Sequence, residues 1–273
     1  MQSKARYAWL LPAAALLGVV LAVPLAAGLA GGLAGTGSVL RDRAVGRAAW
    51  NTLVFAGVSV PLEMGLGLVF ALLLNLEFRG RGMARAVAIV PWALPTAVMA
   101  MSWRWIFSDS WGIANDLPRT LGLMSEPVAW LGRPATAMAA LIAADVWKTT
   151  PFVTLILLAG LQGVPRDLHE AMSLDGAGPA RRFFWVTLPL LRPAIALALV
   201  FRLIQALGIF DLPWVLTGGG PADATRTVSL EAYDSVFRHL EPARGAAITL
   251  VAAAGIFAVA LALGALAHGR RVE

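Results

Sequence analysis

The sequence contains no cysteine and only two lysines, and these absences already remove several classes of protein. Without cysteine there is no disulfide framework, no thiolate metal site and no thiol nucleophile. Neither lysine, Lys4 nor Lys148, follows a glycine, so the G-x-x-x-x-G-K-[ST] loop that cradles nucleotide phosphates is missing. The three histidines, His169, His239 and His268, are far apart and form no H-E-x-x-H motif. No G-x-S-x-G turn occurs either, so we predict a chain that is not an enzyme and binds no cofactor or metal itself.

Charged residues are also scarce, at 14% of the 273 residues, whereas soluble domains carry roughly 25%. Hydrophobic residues make up 59% of the chain, and the mean hydropathy is +0.74. We therefore predict an all-α membrane protein in contact with the lipid bilayer, because hydrocarbon offers no partner for backbone groups outside helices. A pI of about 10.9 is also typical of proteins that bind nucleic acid. Here the basic residues flank the membrane spans and account for the high pI, so we expect no nucleic-acid partner.

Six apolar stretches have the roughly 20 residues that a bilayer-spanning helix needs. They are Tyr7–Leu29, Ala49–Leu76, Ala86–Phe107, Ala135–Leu161, Pro193–Leu216 and Ala246–Ala267. The first could be a cleaved signal peptide, but its apolar part is longer than a typical signal core, so we expect a retained helix. We divide the chain into residues 1–48, with the first helix and an outer loop, and residues 49–273, with the other five spans.

Three prolines predict irregularities inside these spans. Pro61 lies in the second span, and Pro91 and Pro95 lie in the third. Each removes a helical hydrogen bond and clashes with the preceding turn, so we expect kinks or breaks at these positions.

The distribution of lysine and arginine predicts the orientation. With the N-terminus inside, the inner segments hold 11 of these residues and the outer segments hold 8. The short loop from Arg79 to Arg85 alone holds three in seven residues, which is typical of a cytoplasmic loop. This pattern predicts that both termini are cytoplasmic and that residues 162–188 are cytoplasmic as well. The outer segment that begins TGGGPAD at Thr217 should start with a tight turn, since glycines and proline end helices, and continue as a short amphipathic element through Leu240.

Six ionisable residues fall inside the predicted spans: Glu63, Arg104, Asp145, Lys148, Arg202 and Asp211. A lone charge in hydrocarbon costs several kcal/mol, so we expect these side chains to pair and to face the bundle interior or water. Asp145 and Lys148 are three residues apart and could pair on one helix face, and Arg202 and Gln205 have the same spacing. Asp211 and Arg104 both lie toward the outer ends of their spans and could be neighbours.

These intramembrane charges allow two interpretations. They could be structural ion pairs that fix helix packing, or they could line a polar pathway for a hydrophilic solute or proton. For the group as a whole we favour the pathway, because tryptophans accompany it and aromatic faces next to polar groups suit a sugar. The predicted pathway residues are Glu63, Asp145, Trp147, Lys148, Arg202, Gln205, Asp211 and Trp214.

Residues 162–193 form a polar interruption between the fourth and fifth spans. Pro165 can open a short helix, and Gly176 can end it in the left-handed conformation. Pro179 can then begin a second short helix before Pro193 leads into the fifth span. Such a helix–glycine–helix segment would project as a knob that fits a groove on another protein. The alternative is an interfacial helix that inserts its aromatic side chains into lipid.

The same segment resembles the EAA signature of permease subunits of binding-protein-dependent ABC importers. The signature reads E-A-A, three residues, glycine, nine residues, an aliphatic, one residue and L-P, and every spacing fits with Met172 in place of the second alanine. Phe210-Asp211 and the stretch from Leu216 to Pro221 are similar to the carbohydrate-uptake branch, which includes membrane subunits of maltose, trehalose and glycerol-3-phosphate importers. The resemblance assigns ATPase coupling to Glu170, Ala171, Met172, Asp175, Gly176, Ala177, Phe183 and Pro189.

This resemblance implies the type I ABC importer permease fold, a sugar substrate and a set of partners. These are a second homologous permease, two ATPase subunits that use ATP and Mg²⁺, and an extracytoplasmic solute-binding protein, all at a bacterial or archaeal cell membrane. The alternatives are a permease for a non-sugar solute and an ion-coupled secondary transporter. A secondary transporter usually has more spans and repeats and would not need a docking loop.

Overall fold

The computed structural model describes residue 26 and residues 28–268, and within this part the chain is helical, with no β-strand. Residues 28–39 form helix α1, which follows the position of the first predicted span; most of that span, Tyr7–Leu29, lies outside the described residues. The next helices are α2 (Arg43–Asn75), α3 (Arg81–Ala93), α4 (Thr96–Ile106), α5 (Ile113–Thr120), α6 (Pro134–Gln162) and α7 (Arg166–Leu174). They are followed by α8 (Pro179–Arg182), a π-helical turn (Phe183–Thr187), α9 (Leu188–Leu207), α10 (Asp211–Leu216), α11 (Val228–Phe237) and α12 (Pro242–His268).

Helix α6 is the centre of the bundle, and α2, α3 and α9 pack around it. Glycines let the helices approach closely: a Cβ added to Gly67 of α2 would lie 2.6 Å from Val153 of α6. A Cβ added to Gly160 of α6 would lie 2.6 Å from Ala194 of α9. Small residues at such positions allow the van der Waals packing that holds helices together in lipid, where apolar burial supplies no driving force between them.

Four helical stretches of the described residues are long and apolar enough to cross a membrane: Arg43–Asn75, Pro134–Gln162, Pro179–Leu207 and Pro242–Ala262. Helices α3 and α4 meet at an angle of 90° and together make a fifth candidate span. These five stretches overlap the second to sixth predicted spans.

The break between α3 and α4 occurs where the prolines predicted one. Leu94 has a ψ angle of 137°, which is the extended conformation that a residue before proline prefers, and Pro95 has a ψ angle of 132°. Pro91 and Pro61, by contrast, lie inside α3 and α2, and neither ends its helix. A single missing hydrogen bond does not end a helix whose neighbours hold it in place.

The fifth predicted span was placed too late in the sequence. The helix runs continuously from Pro179 to Leu207, so it begins before the predicted Pro193 and ends before the predicted Leu216. The predicted second short helix of the loop is therefore the first part of the span. A π turn, in which the Leu188 N–H donates to the Phe183 carbonyl, precedes the proline at 189 and widens the helix there. Gly208 ends α9, and α10 is a separate short helix.

Candidate functional site

A buried ion cluster joins three membrane helices at Arg202 of α9. The guanidinium binds both carboxylate oxygens of Glu63 on α2, through Nε to Oε2 and through Nη2 to Oε1 at 3.0 Å. Its Nη2 also donates to Oδ2 of Asp145 on α6 at 2.9 Å, and Nη1 donates to Oε1 of Gln205 at 2.8 Å. Arginine has five N–H donors in a rigid fork, and four of them are used here. The cluster, which we call the Arg202 cluster, therefore fixes α2, α6 and α9 relative to one another.

Burial separates the predicted pathway residues into two groups. Glu63, Arg202 and Asp145 are 0%, 2% and 5% exposed, so they lie inside the subunit. The side chains of Trp147, Gln205, Asp211 and Trp214 are exposed, and Lys148 is half-buried. Gln205 connects the groups, because it is exposed and also accepts a hydrogen bond from Arg202. We call the second group, comprising Trp147, Lys148, Gln205, Asp211 and Trp214, the exposed polar set.

The predicted pair between Asp145 and Lys148 does not form. Asp145 pairs with Arg202 from another helix, and Lys148 Nζ instead donates to the Leu94 carbonyl at 2.9 Å. That carbonyl lies at the break between α3 and α4, where no helical N–H is available to it, so the lysine replaces a lost helical hydrogen bond. Arg104 and Asp211 form no ion pair among the described residues, although α4 packs against α10.

An aromatic cluster beside Asp211 was only partly visible in the sequence. Phe210 stacks on Trp214 with ring centroids 5.7 Å apart, and Tyr233 of α11 lies 4.9 Å from Phe210 and 5.9 Å from Trp214. Phe237 extends the cluster at 4.7 Å from Tyr233. The sequence indicated Trp214 alone, because Tyr233 and Phe237 reach it from a helix that the turn at 217–227 folds back.

The segment that begins TGGGPAD is a packed turn. Gly219 has a φ of +86°, which favours glycine, and an added Cβ would lie 3.1 Å from Leu230. The Thr225 hydroxyl donates to the Gly220 carbonyl at 2.8 Å, and Thr225 is fully buried. Asn51 at the start of α2 donates to the carbonyls of residues 223 and 226, at 2.7 Å and 3.1 Å. The predicted tight turn is present, and the amide of Asn51 fixes it to the membrane bundle.

Ion pairs then attach α11 to the starts of α2 and α12. Arg226 contacts Asp223, Glu231 and Asp234. Arg244 contacts Asp42 at 2.7 Å, Glu231 at 3.1 Å and Glu241 at 3.6 Å. Burial alone would lower the pKa of Arg226, but its hydrogen bonds to Asp223 and Asp234 outweigh burial and raise the pKa. The Ala44 N–H, which donates to the Asp42 cap, lowers the pKa of that carboxyl, and Arg244 adds to the effect.

The EAA-like segment contains a well-formed helix cap. Helix α7 ends at Asp175, Gly176 adopts a φ of +76°, and its N–H donates to the Ser173 carbonyl at 3.1 Å. The Ala177 N–H donates to the Met172 carbonyl at 2.9 Å. These two bonds define a Schellman motif, and Ala177 at its end is buried. The predicted left-handed cap at Gly176 is therefore present.

The remaining residues of this segment divide between a projecting side and an anchored side. Glu170, Ala171 and Asp175 are exposed, and Leu174 on the same helix is 89% exposed. Phe183 and Pro189 are half-buried in the helix that follows, and the Phe183 ring lies 5.1 Å from that of Phe184. Helix α7 thus projects acidic and apolar side chains from a rigid base.

Residues 63–272 match the family described as binding-protein-dependent transport system inner membrane component. The match covers most of the chain, and the chain therefore belongs to this family.

Three relatives share extended identity with the chain. It is 49% identical over 196 residues to the trehalose/maltose transport system permease protein of Thermococcus litoralis, covering 72% of this chain and 66% of that protein. It is 41% identical over 202 residues to the sulfoquinovosyl glycerol transport system permease protein of Agrobacterium fabrum, with coverage of 74% and 65%. It is 38% identical over 215 residues to the trehalose transport system permease protein of Mycobacterium tuberculosis, with coverage of 78% and 67%. The match spans about two thirds of the length of each relative.

The fold is similar to that of solved transporters. A chain of a bacterial ABC transporter involved in the import of the acidic polysaccharide alginate superposes with a TM-score of 0.84, at 21% identity and with coverage of 97% and 96%. A chain of the alginate transporter in complex with alginate pentasaccharide-bound periplasmic protein superposes with a TM-score of 0.83, at 22% identity and with coverage of 94% and 91%. The family match and this likeness of fold confirm the predicted all-α permease fold, and five of the six predicted spans have a counterpart among the described residues.

Proposed function

We propose that this chain is the membrane-spanning permease subunit of an ATP-driven importer, and that it forms the path of a sugar or sugar-like solute together with a second, similar permease. The observation that carries the proposal is helix α7, which projects from the membrane bundle with Glu170 exposed and a rigid Schellman cap behind it. The sugar assignment is supported by the relatives, whose names refer to trehalose, maltose and sulfoquinovosyl glycerol.

In this proposal the energy for transport comes from partner subunits, because the sequence of this chain has no phosphate-binding loop. Two cytoplasmic ATPase subunits, using ATP and Mg²⁺, each receive one loop of this kind, and an extracytoplasmic binding protein delivers the solute. Closure of the ATPases moves α7, and the continuous helix from Pro179 to Leu207 carries that movement into the bundle. The bundle then has two states, outward-facing and inward-facing. Nucleotide bound to the ATPases shifts this equilibrium from the cytoplasmic side, and the loaded binding protein shifts it from the outer side.

The orientation and the division of the chain belong to the same proposal. Both termini and the loop that joins α6 to the span beginning at Pro179 are cytoplasmic, and the segment from 217 to 241 faces outward, as the lysine and arginine count predicts. Residues 1–48 supply the first helix, the short outer connection and the first residues of α2, and residues 49–273 form the permease core.

The two groups of pathway residues take different roles. The exposed polar set, with its aromatic neighbours, lines the solute path and supplies stacking faces and hydrogen-bonding groups. Glu63, Asp145 and Arg202 stand behind it and hold the wall in place. Gln205 is exposed to the path and accepts a hydrogen bond from Arg202, so the buried cluster orients the Gln205 side chain toward the solute.

The proposal is tested by reversing the charge on α7. We expect Glu170→Lys to reduce ATP-dependent sugar uptake by tenfold or more, because an interfacial charge of the wrong sign costs more than about 1.4 kcal/mol. The amount of chain in the membrane should not change, since Glu170 is exposed. Uptake of labelled sugar into cells or proteoliposomes is the measurement, and a screen of sugars for stimulated ATPase activity identifies the solute.

Glu126→Lys is the matched control, because it makes the same charge change at an exposed glutamate in the loop between α5 and α6. Uptake in this variant should stay within a factor of two of wild type. Normal uptake in Glu170→Lys would remove the docking role of α7.

A further inference from the structure

A cavity of about 820 Å³ opens where α2 ends and α3 begins, at the same ends of the helices as the projecting helix α7. Its wall includes the end of α6, His169 of α7 and Thr187 of the π turn, so four spans and the projecting loop meet there. None of the residues assigned to the solute path lies in it. Its lining is Val69, Leu72, Leu73, Asn75, Leu76, Arg81, Arg85, Leu161, Gln162, Val164, His169 and Thr187.

The polar end of this cavity is basic. Arg81 and Arg85 lie one helical turn apart on α3, and the described lining contains no carboxylate. Arg85 is held in place, because its Nε and Nη2 donate to the Leu74 carbonyl at 3.2 Å and 2.8 Å. A guanidinium has five donors, so Arg85 keeps further N–H groups for a ligand in a fixed orientation. Gln162 and Asn75 add neutral polar groups beside the two charges.

The other wall of the cavity is a strip of apolar side chains along α2. Val69, Leu73 and Leu76 are 51%, 52% and 60% exposed, and they cover about two helical turns, or roughly 10 Å. This strip runs from the arginines toward the interior of the membrane. A ligand that satisfies both walls needs an anionic group at one end and a hydrocarbon chain at the other.

We propose that this cavity binds an anionic phospholipid, with its phosphate on Arg81 and Arg85 and an acyl chain along Val69, Leu73 and Leu76. Arginine pairs with phosphate through two parallel N–H bonds, and basic pockets between membrane helices are the expected sites for acidic headgroups. Free phosphate would leave the apolar strip uncovered, and a zwitterionic lipid would bring a second positive charge to two arginines. The occupant is therefore a lipid with a net negative headgroup.

The site is joined to the projecting loop through His169. Its Nε2 lies 3.5 Å from the Thr187 hydroxyl, so the same histidine lines the cavity and contacts the start of the span that follows α7. A bound lipid would stand between α3 and α7 at the base of the loop. The binding itself requires neither the sugar nor the ATPase partners, so it can be tested if the proposed function fails.

The test measures lipid retained by the full-length chain purified in detergent with added lipid, using native mass spectrometry. The two lipids are phosphatidylglycerol and phosphatidylcholine with identical acyl chains, so that only the headgroup charge differs. We expect the wild type to retain phosphatidylglycerol preferentially. Arg81→Gln/Arg85→Gln should bind it about 30-fold more weakly, and Arg81→Gln alone about fivefold more weakly. The single variant leaves the Arg85 contact with the α2 carbonyl intact.

Arg119→Gln/Arg133→Gln is the control, because it removes the same charge from exposed positions outside the cavity, and it should retain phosphatidylglycerol like the wild type. Three results would each overturn the proposal. Equal retention by the cavity variants and the wild type would show that the arginines hold no lipid. Equal retention of the two lipids would reduce the site to an apolar groove. Displacement by millimolar inorganic phosphate would make it a phosphate-ion site.

Discussion

The part of the chain that the structure describes contains two arginine-centred ion clusters, and they differ in how far water reaches them. The Arg202 cluster lies among the membrane helices, with the arginine side chain 2% exposed and its carboxylate partners 0% and 7% exposed. The second cluster, around Arg226 and Arg244 between α10 and α12, keeps its arginine side chains 19% and 27% exposed. Arg202 therefore depends wholly on its protein partners, whereas the other two arginines also keep contact with solvent.

This difference shows what each cluster can contribute. In the low-dielectric interior an ion pair is strong once formed, but each member becomes very costly if its partner is removed. In the half-exposed cluster water and salt screen the charges, so each ion pair contributes less to the free energy of unfolding. We infer that the Arg202 cluster sets the positions of α2, α6 and α9, while the other cluster adjusts how α11 sits on the ends of α2 and α12.

The largest effect is expected from Arg202→Met, which leaves Glu63 and Asp145 buried without their cation. Removing one partner of a buried pair costs about 3–5 kcal/mol, so the variant should unfold at a much lower temperature or fail to accumulate. The measurement is the thermal unfolding midpoint of the chain in detergent, together with its amount in the membrane.

A triple variant, Glu63→Met/Asp145→Leu/Arg202→Met, removes all of the buried charges and should recover most of the lost stability. If Arg202→Met were as stable as the wild type, the cluster would not hold the helices together. If the triple variant stayed as unstable as the single one, packing rather than unpaired charge would be the cause.

A smaller effect is expected in the half-exposed cluster from Arg226→Gln. Asp234 would lose this partner while its side chain is only 2% exposed, which should cost about 1–3 kcal/mol. Arg238→Gln is the matched control, because Arg238 contacts the same carboxylate at 3.0 Å but is 56% exposed, so its loss should cost less than about 1 kcal/mol. Equal shifts of the unfolding midpoint in the two variants would contradict the link between burial and contribution.

The smallest effect is a pH dependence at Asp42, which caps α2 and contacts Arg244. The folded state lowers the pKa of Asp42, so its charge stabilises the fold above the unfolded value of about 3.9, and this stabilisation is lost as the pH falls through the lowered folded pKa. Asp42→Asn keeps a good cap but removes the charge. The difference in unfolding midpoint between wild type and variant should be present at pH 6 and shrink toward pH 3. A constant difference over this range would show that the charge is not involved.

Local patterns were sufficient for several features of the molecule. Apolar length located α6 to within one residue at each end and α12 to within four, because each span must satisfy its backbone groups by itself, whereas α2 begins six residues before the predicted start. Gly176 was recognisable as a left-handed cap, since the Schellman motif is completed within six residues of the chain. The break between helices α3 and α4 was also predictable, because it depends on the local preference of the residue before Pro95 for an extended conformation.

Charge pairing was not predictable from local spacing. Asp145 and Lys148 share a helix face, yet Asp145 binds Arg202, which lies 57 residues away in the sequence, and Lys148 binds a carbonyl 54 residues away. Spacing of three or four residues detects partners on one helix only. The fifth span was misplaced because Pro189 and Pro193 lie inside a helix that is continuous from Pro179 through the π turn, whereas Pro193 in the sequence predicted the start of a new helix.

The sequence by itself determined that this chain is helical, that it lies in a membrane and that a capped helix projects between its fourth and fifth predicted spans. These properties depend on the hydrocarbon solvent and on neighbours within a few residues. The tertiary structure decided which charges are buried together, which polar groups remain exposed beside the aromatic cluster, and that Arg81 and Arg85 share a cavity with α7. Such properties depend on contacts between residues that are tens to hundreds of positions apart, and only the packing of the helices brings those residues together.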